Sequence, residues 1–125
     1  LTGVGLDQFL YAFRSHYIQP DAWQEPDLSH PHNFVLDFWV RLGIFGVVIF
    51  AVLQAAFWRR MVALYRRLRL TNSVAFAVML GTLGSMVNLL AHGLIDNSVY
   101  VQDLAFVFTF LLALSNARAI DPLSK

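Results

Sequence analysis

The sequence predicts an all-α membrane protein with about three transmembrane helices, preceded by an external loop that carries a short amphipathic helix. Three observations lead there. Of its 125 residues, 58% are hydrophobic and 14% charged, with a mean hydropathy of +0.57, whereas soluble domains carry about a quarter charged residues. The charges are segregated, with none in 44–57 and none in 72–93. Three apolar stretches also approach the ~20 residues that a helix needs to cross a hydrocarbon core of about 30 Å.

The first span is expected over 38–57, the second over 74–95 and the third over 100–119. Gln102 and Asp103 interrupt the third near its start, leaving 104–114 as its uninterrupted apolar part. Between the first two spans, residues 58–70 hold five arginines, Arg59, Arg60, Arg66, Arg67 and Arg69. Such a basic loop marks the cytoplasmic side. Trp58, Met61, Leu64, Tyr65 and Leu68 recur at helical spacing opposite the arginines, which predicts an interfacial helix lying on anionic lipid. A loop pinned between two spans favours that reading over nucleic-acid binding. Arg118 and Lys125 put the C-terminus on the same side, and 1–37 falls outside as a periplasmic loop region ahead of the membrane region 38–125.

The chain opens on Leu1-Thr2-Gly3-Val4-Gly5 without an initiating Met, and no signal-peptide pattern is visible. It therefore reads as the C-terminal part of a larger protein. Cysteine is absent, which closes disulfide and thiolate-metal chemistry. The formal net charge of +1 selects no class of partner.

The external region has the sharpest composition. Phe9, Leu10, Phe13 and Tyr17 follow helical spacing, so 7–17 is expected to be the amphipathic helix, and Pro20, Pro26 and Pro31 break regular structure after it. Gly3-Val4-Gly5 lacks the third glycine of a dinucleotide loop, since position 8 is Gln, and reads as a tight turn at the membrane surface. Ser29-His30-Pro31-His32-Asn33 then stands directly before the first span. Unpaired polar groups at that depth are costly and are expected to face a cavity or ligand. The alternative is that they merely cap the entering helix, with Asn33 as the N-cap. His30 and His32 also supply two imidazoles, and Asp21, Glu25 and Asp27 are carboxylates that could join them around a metal. The spacing fits no strong metal motif, so no metal and no cofactor are expected.

The second span carries Ser85, Asn88, His92 and Asp96 along one helical face. Polar residues on a spanning helix normally point into the bundle. His92 and Asp96, four apart near the outer end, form a candidate pair. Asn88 and Gln54 read as interhelical glue, with Gly81 and Ser85 allowing close helix approach.

Taken together, these pieces resemble the O-antigen ligase and O-antigen polymerase superfamily. The string His-Pro-His-Asn-Phe-Val-Leu-Asp-Phe-Trp-Val-Arg-Leu-Gly-Ile-Phe-Gly, residues 30–46, is similar to its signature: a His-Asn pair, an apolar helix start, then two glycines three apart. Gly3-Val4-Gly5 followed by Phe9 resembles the glycine motif that opens the same external region. His92-Gly93-Leu94-Ile95-Asp96-Asn97 resembles the motif at the outer end of the penultimate span. Arg41 departs from the pattern, which has an apolar or acidic residue there.

The resemblance implies a fragment of a GT-C-type helical bundle in the bacterial inner membrane, with its active face periplasmic. Such metal-independent glycosyltransferases pass a glycan from an undecaprenyl-diphosphate carrier to a lipid, protein or glycan acceptor in lipopolysaccharide or polysaccharide assembly. Ligase, polymerase and protein O-oligosaccharyltransferase share the motifs, and nucleic acid is not an expected partner. By the motif match His32 is the leading candidate for deprotonating the acceptor hydroxyl and His30 the second. Arg14 is the external arginine for the leaving diphosphate, and Asn33, His92 and Asp96 are expected to bind substrate. A transporter or flippase is the competing class, but it would be expected to show broken spans with mid-membrane glycine or proline and a buried charge.

Overall fold

The structure, a computed structural model, describes residues 1–18, 28–71, 73–96 and 102–117. Among them helices are the only regular elements. A short helix α1 (Phe9–Ala12) continues into a π-helical turn (Phe13–Tyr17), and three longer helices follow: α2 (Phe34–Leu68), α3 (Val74–Gly93) and α4 (Gln102–Ser115). The expected amphipathic helix is thus present, with Phe9 and Phe13 stacked at 5.6 Å between ring centroids.

Helices α2 and α3 are long and apolar enough to cross a membrane. Only 33% and 22% of their most apolar windows are buried within the described residues. Phe45, Val48, Ile49 and Val52 all point outward from α2. At 14 residues, α4 extends about 21 Å, which is short of the hydrocarbon core. Of the expected third span, 100–119, the helix covers 102–115, residues 116–117 follow outside it, and Tyr100, Arg118 and Lys125 lie outside the described residues.

The three long helices meet along a narrow seam. Buried residues recur at Phe50, Gln54, Phe57, Met61, Leu64 and Leu68 on α2, at Met79, Thr82, Met86, Leu89 and Gly93 on α3, and at Phe108, Leu111 and Ser115 on α4. Steps of three and four alternate in each helix, the 3.5-residue period of left-handed helix packing. Helix α3 runs antiparallel to α2: Tyr65 meets Phe76 at one end, and Asn33 reaches Leu94 at the other. Helix α4 runs parallel to α2, since Phe50 stacks on Phe108 and the Arg60 guanidinium donates to the Ser115 carbonyl at 3.3 Å. Gln54 does serve as interhelical glue. It is buried, accepts from the Trp58 indole at 3.0 Å and donates to the Met86 sulfur at 3.7 Å.

Two expectations are corrected by this packing. The basic segment is no separate interfacial helix, because α2 runs on through Leu68 and buries Met61 and Leu64 completely in the seam. Apolar residues at helical spacing cover a protein neighbour as readily as lipid, and here α3 is the neighbour. Likewise the face of α3 bearing Gly81, Ser85, Asn88 and His92 points out of the bundle. All four residues are exposed, and nothing lies within 4 Å of where a Gly81 side chain would start. The Met79–Met86–Leu89 face offers more apolar contact and wins the interior.

Near its start α2 is broken. Gly43 has φ +68° and ψ −161°, which side chains on L residues disfavour. A break strands backbone amides and carbonyls, which are costly to leave unpaired away from water. The N-terminal segment repairs it. Ile44 N–H donates to the Leu1 carbonyl at 3.0 Å, while the Val40 and Arg41 carbonyls accept from Val4 N–H at 2.6 Å and Gly5 N–H at 3.0 Å. Side chains are excluded from this contact, since a Cβ on Gly3 would lie 2.6 Å from the Gly43 nitrogen. Gly3-Val4-Gly5 is therefore a backbone clamp on α2 and not merely a surface turn.

Candidate functional site

The site forms where the start of α2 meets the end of α3. Asn33 fixes both. Its side-chain oxygen accepts from Val35 N–H at 3.0 Å and Leu36 N–H at 3.2 Å, capping α2. Its amide nitrogen donates to the Leu94 carbonyl at 3.2 Å. The capping alternative thus holds for Asn33, but not for the histidines beside it.

The two imidazoles converge on one carboxylate. His32 Nδ1 lies 3.1 Å from Asp96 Oδ1, and His30 Nε2 lies 3.4 Å from the same oxygen. The rings are 5.1 Å apart between centroids. The other nitrogen of His30, Nδ1, pairs with the Ser29 hydroxyl at 2.9 Å. His30 is 28% exposed, His32 55% and Asp96 46%, so the cluster is open on one side. In the tautomer with its proton on Nδ1, His32 donates to the Asp96 carboxylate and presents Nε2 as an acceptor, the logic of a base oriented by an acid.

Of the predicted site residues, His30, His32, Asn33 and Asp96 come together. The expected His92–Asp96 side-chain pair is not the one that forms. The α-helix ends at Gly93, the His92 carbonyl accepts from Ile95 and Asp96 N–H at 3.0 Å each, and this turn aims the Asp96 carboxylate at the histidines. The His92 side chain is exposed. Arg14 lies on the exposed side of the π-helical turn. Asp21, Glu25, Asp27 and Asn97 lie outside the described residues.

A second polar cluster was not anticipated as such. Asp37 is fully buried and Arg41 is 7% exposed. Arg41 Nε donates to Asp37 Oδ1 at 2.7 Å, and its Nη1 donates to Asp7 Oδ1 at 2.9 Å. This gives Arg41 a structural role: it pairs with a buried carboxylate one turn below the His cluster and ties the N-terminal clamp to α2. The signal in the sequence was the i, i+4 spacing of Asp37 and Arg41 at the head of an apolar helix. Beside the clamp lies a largely apolar cavity of about 440 Å³, lined by Val4, Phe9, Phe13, Tyr17 and Trp39 among others.

Comparison of the chain with protein-family models, with curated proteins and with solved structures finds no match.

Proposed function

We propose that this chain forms the outer-face portion of a membrane glycosyltransferase that moves a glycan from an undecaprenyl-diphosphate carrier to an acceptor, as O-antigen ligases do. The observation that carries the reading is the His32–Asp96 pair at 3.1 Å, set beside Asn33 where two apolar helices of opposite direction share one end. Membrane residence is supported by the length and low burial of α2 and α3. The external side is supported by the arginines at the far end of α2, which favour the cytoplasm.

In this reading the acceptor hydroxyl gives its proton to His32 Nε2 as its oxygen attacks the anomeric carbon. The bond from that carbon to the diphosphate oxygen breaks, and the diphosphate leaves with the electron pair. Asp96 holds the imidazole and stabilises the imidazolium that forms. Arg14 supplies positive charge to the leaving group. The apolar cavity beside the clamp starts near Trp39, about 9 Å along α2 from Asn33, within reach of a polyprenyl chain entering from the bilayer.

The test is transfer by the full-length protein in membranes, with an undecaprenyl-diphosphate-linked glycan and its acceptor. Loss of transfer in His32→Ala and Asp96→Ala, with donor binding and expression retained, supports the assignment. Wild-type rates in both variants would remove the base role and return weight to a transporter.

A further inference from the structure

We infer that His30, His32 and Asp96 together form a divalent-cation site of the zinc class whose occupancy switches off the acceptor step. Cation binding stands on the geometry of the cluster alone. Only its consequence rests on His32 being the base proposed above.

The donor atoms are already gathered. One ring nitrogen from each histidine and a carboxylate oxygen lie within 4.8 Å of one another. Zinc bonds of 2.0–2.1 Å in a tetrahedron place the ligand atoms about 3.3 Å apart, and the two pairs involving Asp96 Oδ1 measure 3.1 and 3.4 Å. The third pair, between the two imidazole nitrogens, lies within 4.8 Å and must close toward that spacing when a cation enters. The hydroxyl of Ser29 on His30 Nδ1 is the kind of outer partner that orients a ligating imidazole and leaves Nε2 for the metal.

The donor set also selects the metal. Two imidazoles and one carboxylate suit borderline cations such as Zn²⁺, whereas Ca²⁺ and Mg²⁺ require mostly oxygen. The partial exposure of all three side chains leaves a fourth position for water or an acceptor oxygen. The scaffold is held independently of the metal, since Asn33 pins the start of α2 to the Leu94 carbonyl.

The consequence follows from imidazole chemistry. A neutral histidine that ligates through Nδ1 carries its remaining proton on Nε2. That nitrogen then donates a hydrogen bond and can no longer take a proton from the acceptor hydroxyl. Zinc also consumes the Asp96 oxygen that holds the ring. The metal and the base reaction thus exclude each other at one residue.

The experiment uses the full-length protein in nanodiscs, stripped with EDTA and titrated with Zn²⁺ by calorimetry, alongside transfer assays with and without the metal. Expected are one zinc per chain, loss of saturable binding in His30→Ala and Asp96→Ala, and a ten- to hundredfold weaker affinity in Ser29→Ala. Circular dichroism confirms that each variant is folded. Wild-type transfer should fall with zinc and recover with EDTA, while whatever transfer remains in His30→Ala should not respond. No saturable zinc binding, or equal binding in His30→Ala and Asp96→Ala, would overturn the site. Zinc binding without inhibition would overturn the switch. Intact zinc binding with transfer that is indifferent to His32→Ala would keep the site and sink the base reading instead.

Discussion

Gly3 and Gly43 touch backbone to backbone, 40 residues apart in a chain that is otherwise helical at Gly43. The contact is possible because neither residue has a Cβ: one added to Gly43 would collide with the Leu1 carbonyl, and one added to Gly3 would sit 2.7 Å from the Arg41 carbonyl oxygen. Both glycines also hold positive φ, +74° and +68°. The clamp thus joins the external segment to the helix that carries the His cluster.

Gly43→Ala should therefore be strongly destabilising. The left-handed conformation alone costs about 1–2 kcal/mol for an L residue, and the clash with Leu1 adds to it. Thermal unfolding in detergent, with limited proteolysis of the N-terminal segment, checks this. The expected result is a lowered midpoint and faster cleavage near Gly5. Unchanged midpoints would show that the clamp is dispensable.

Arg41→Ala should be the most damaging polar substitution in the outer part of α2. It leaves the buried Asp37 carboxylate without its 2.7 Å partner, and breaking such a pair costs about 3–5 kcal/mol. Asp37→Leu combined with Arg41→Met should recover much of that loss. Asp7→Ala should cost under about 1 kcal/mol, because Asp7 is 94% exposed. Denaturant titration of the three variants decides it; a double variant no more stable than Arg41→Ala would refute the coupling.

Asn33→Ala should cost about 1 kcal/mol through the lost N-cap, plus the bond to Leu94. Asn33→Asp keeps the cap oxygen but loses the donor to Leu94. If that donor aligns the His cluster with Asp96, Asn33→Asp lowers glycan transfer sharply while the unfolding midpoint falls less than in Asn33→Ala. Parallel loss of both would reduce Asn33 to a cap.

Met86→Ala and Asn88→Ala separate the two faces of α3. Met86 is fully buried in the seam, and its truncation should cost about 2–5 kcal/mol. Asn88 is exposed on the opposite face, so Asn88→Ala should stay within about 0.5 kcal/mol. A large cost at Asn88 in stability measurements on this chain would show that the outward face has a partner.

Much was legible without coordinates. Charge segregation and run length mark the helices, because a bilayer or a helix core excludes charge over whole turns. Asn33 before an apolar run announces an N-cap, since that position needs a short side-chain acceptor whatever the fold. His30 and His32 are conspicuous for the same local reason: polar groups stand where burial begins.

What the sequence could not decide was which faces meet. The period of α3 permits either its Met79–Met86 face or its Gly81–Asn88 face to pack inward, and packing against α2 and α4 buries the first. His92 and Asp96 sit at pairing distance in an unbroken helix, but the helix ends at Gly93 and the following turn sends the carboxylate to His32, 64 residues away. Arg41 looked misplaced because one of its partners, Asp7, is 34 residues away and meets it only once the N-terminal segment closes on the break at Gly43. Local propensity is a property of a few neighbouring residues and can be read along the chain. Partner choice depends on distances across it, and those exist only once the helices have packed.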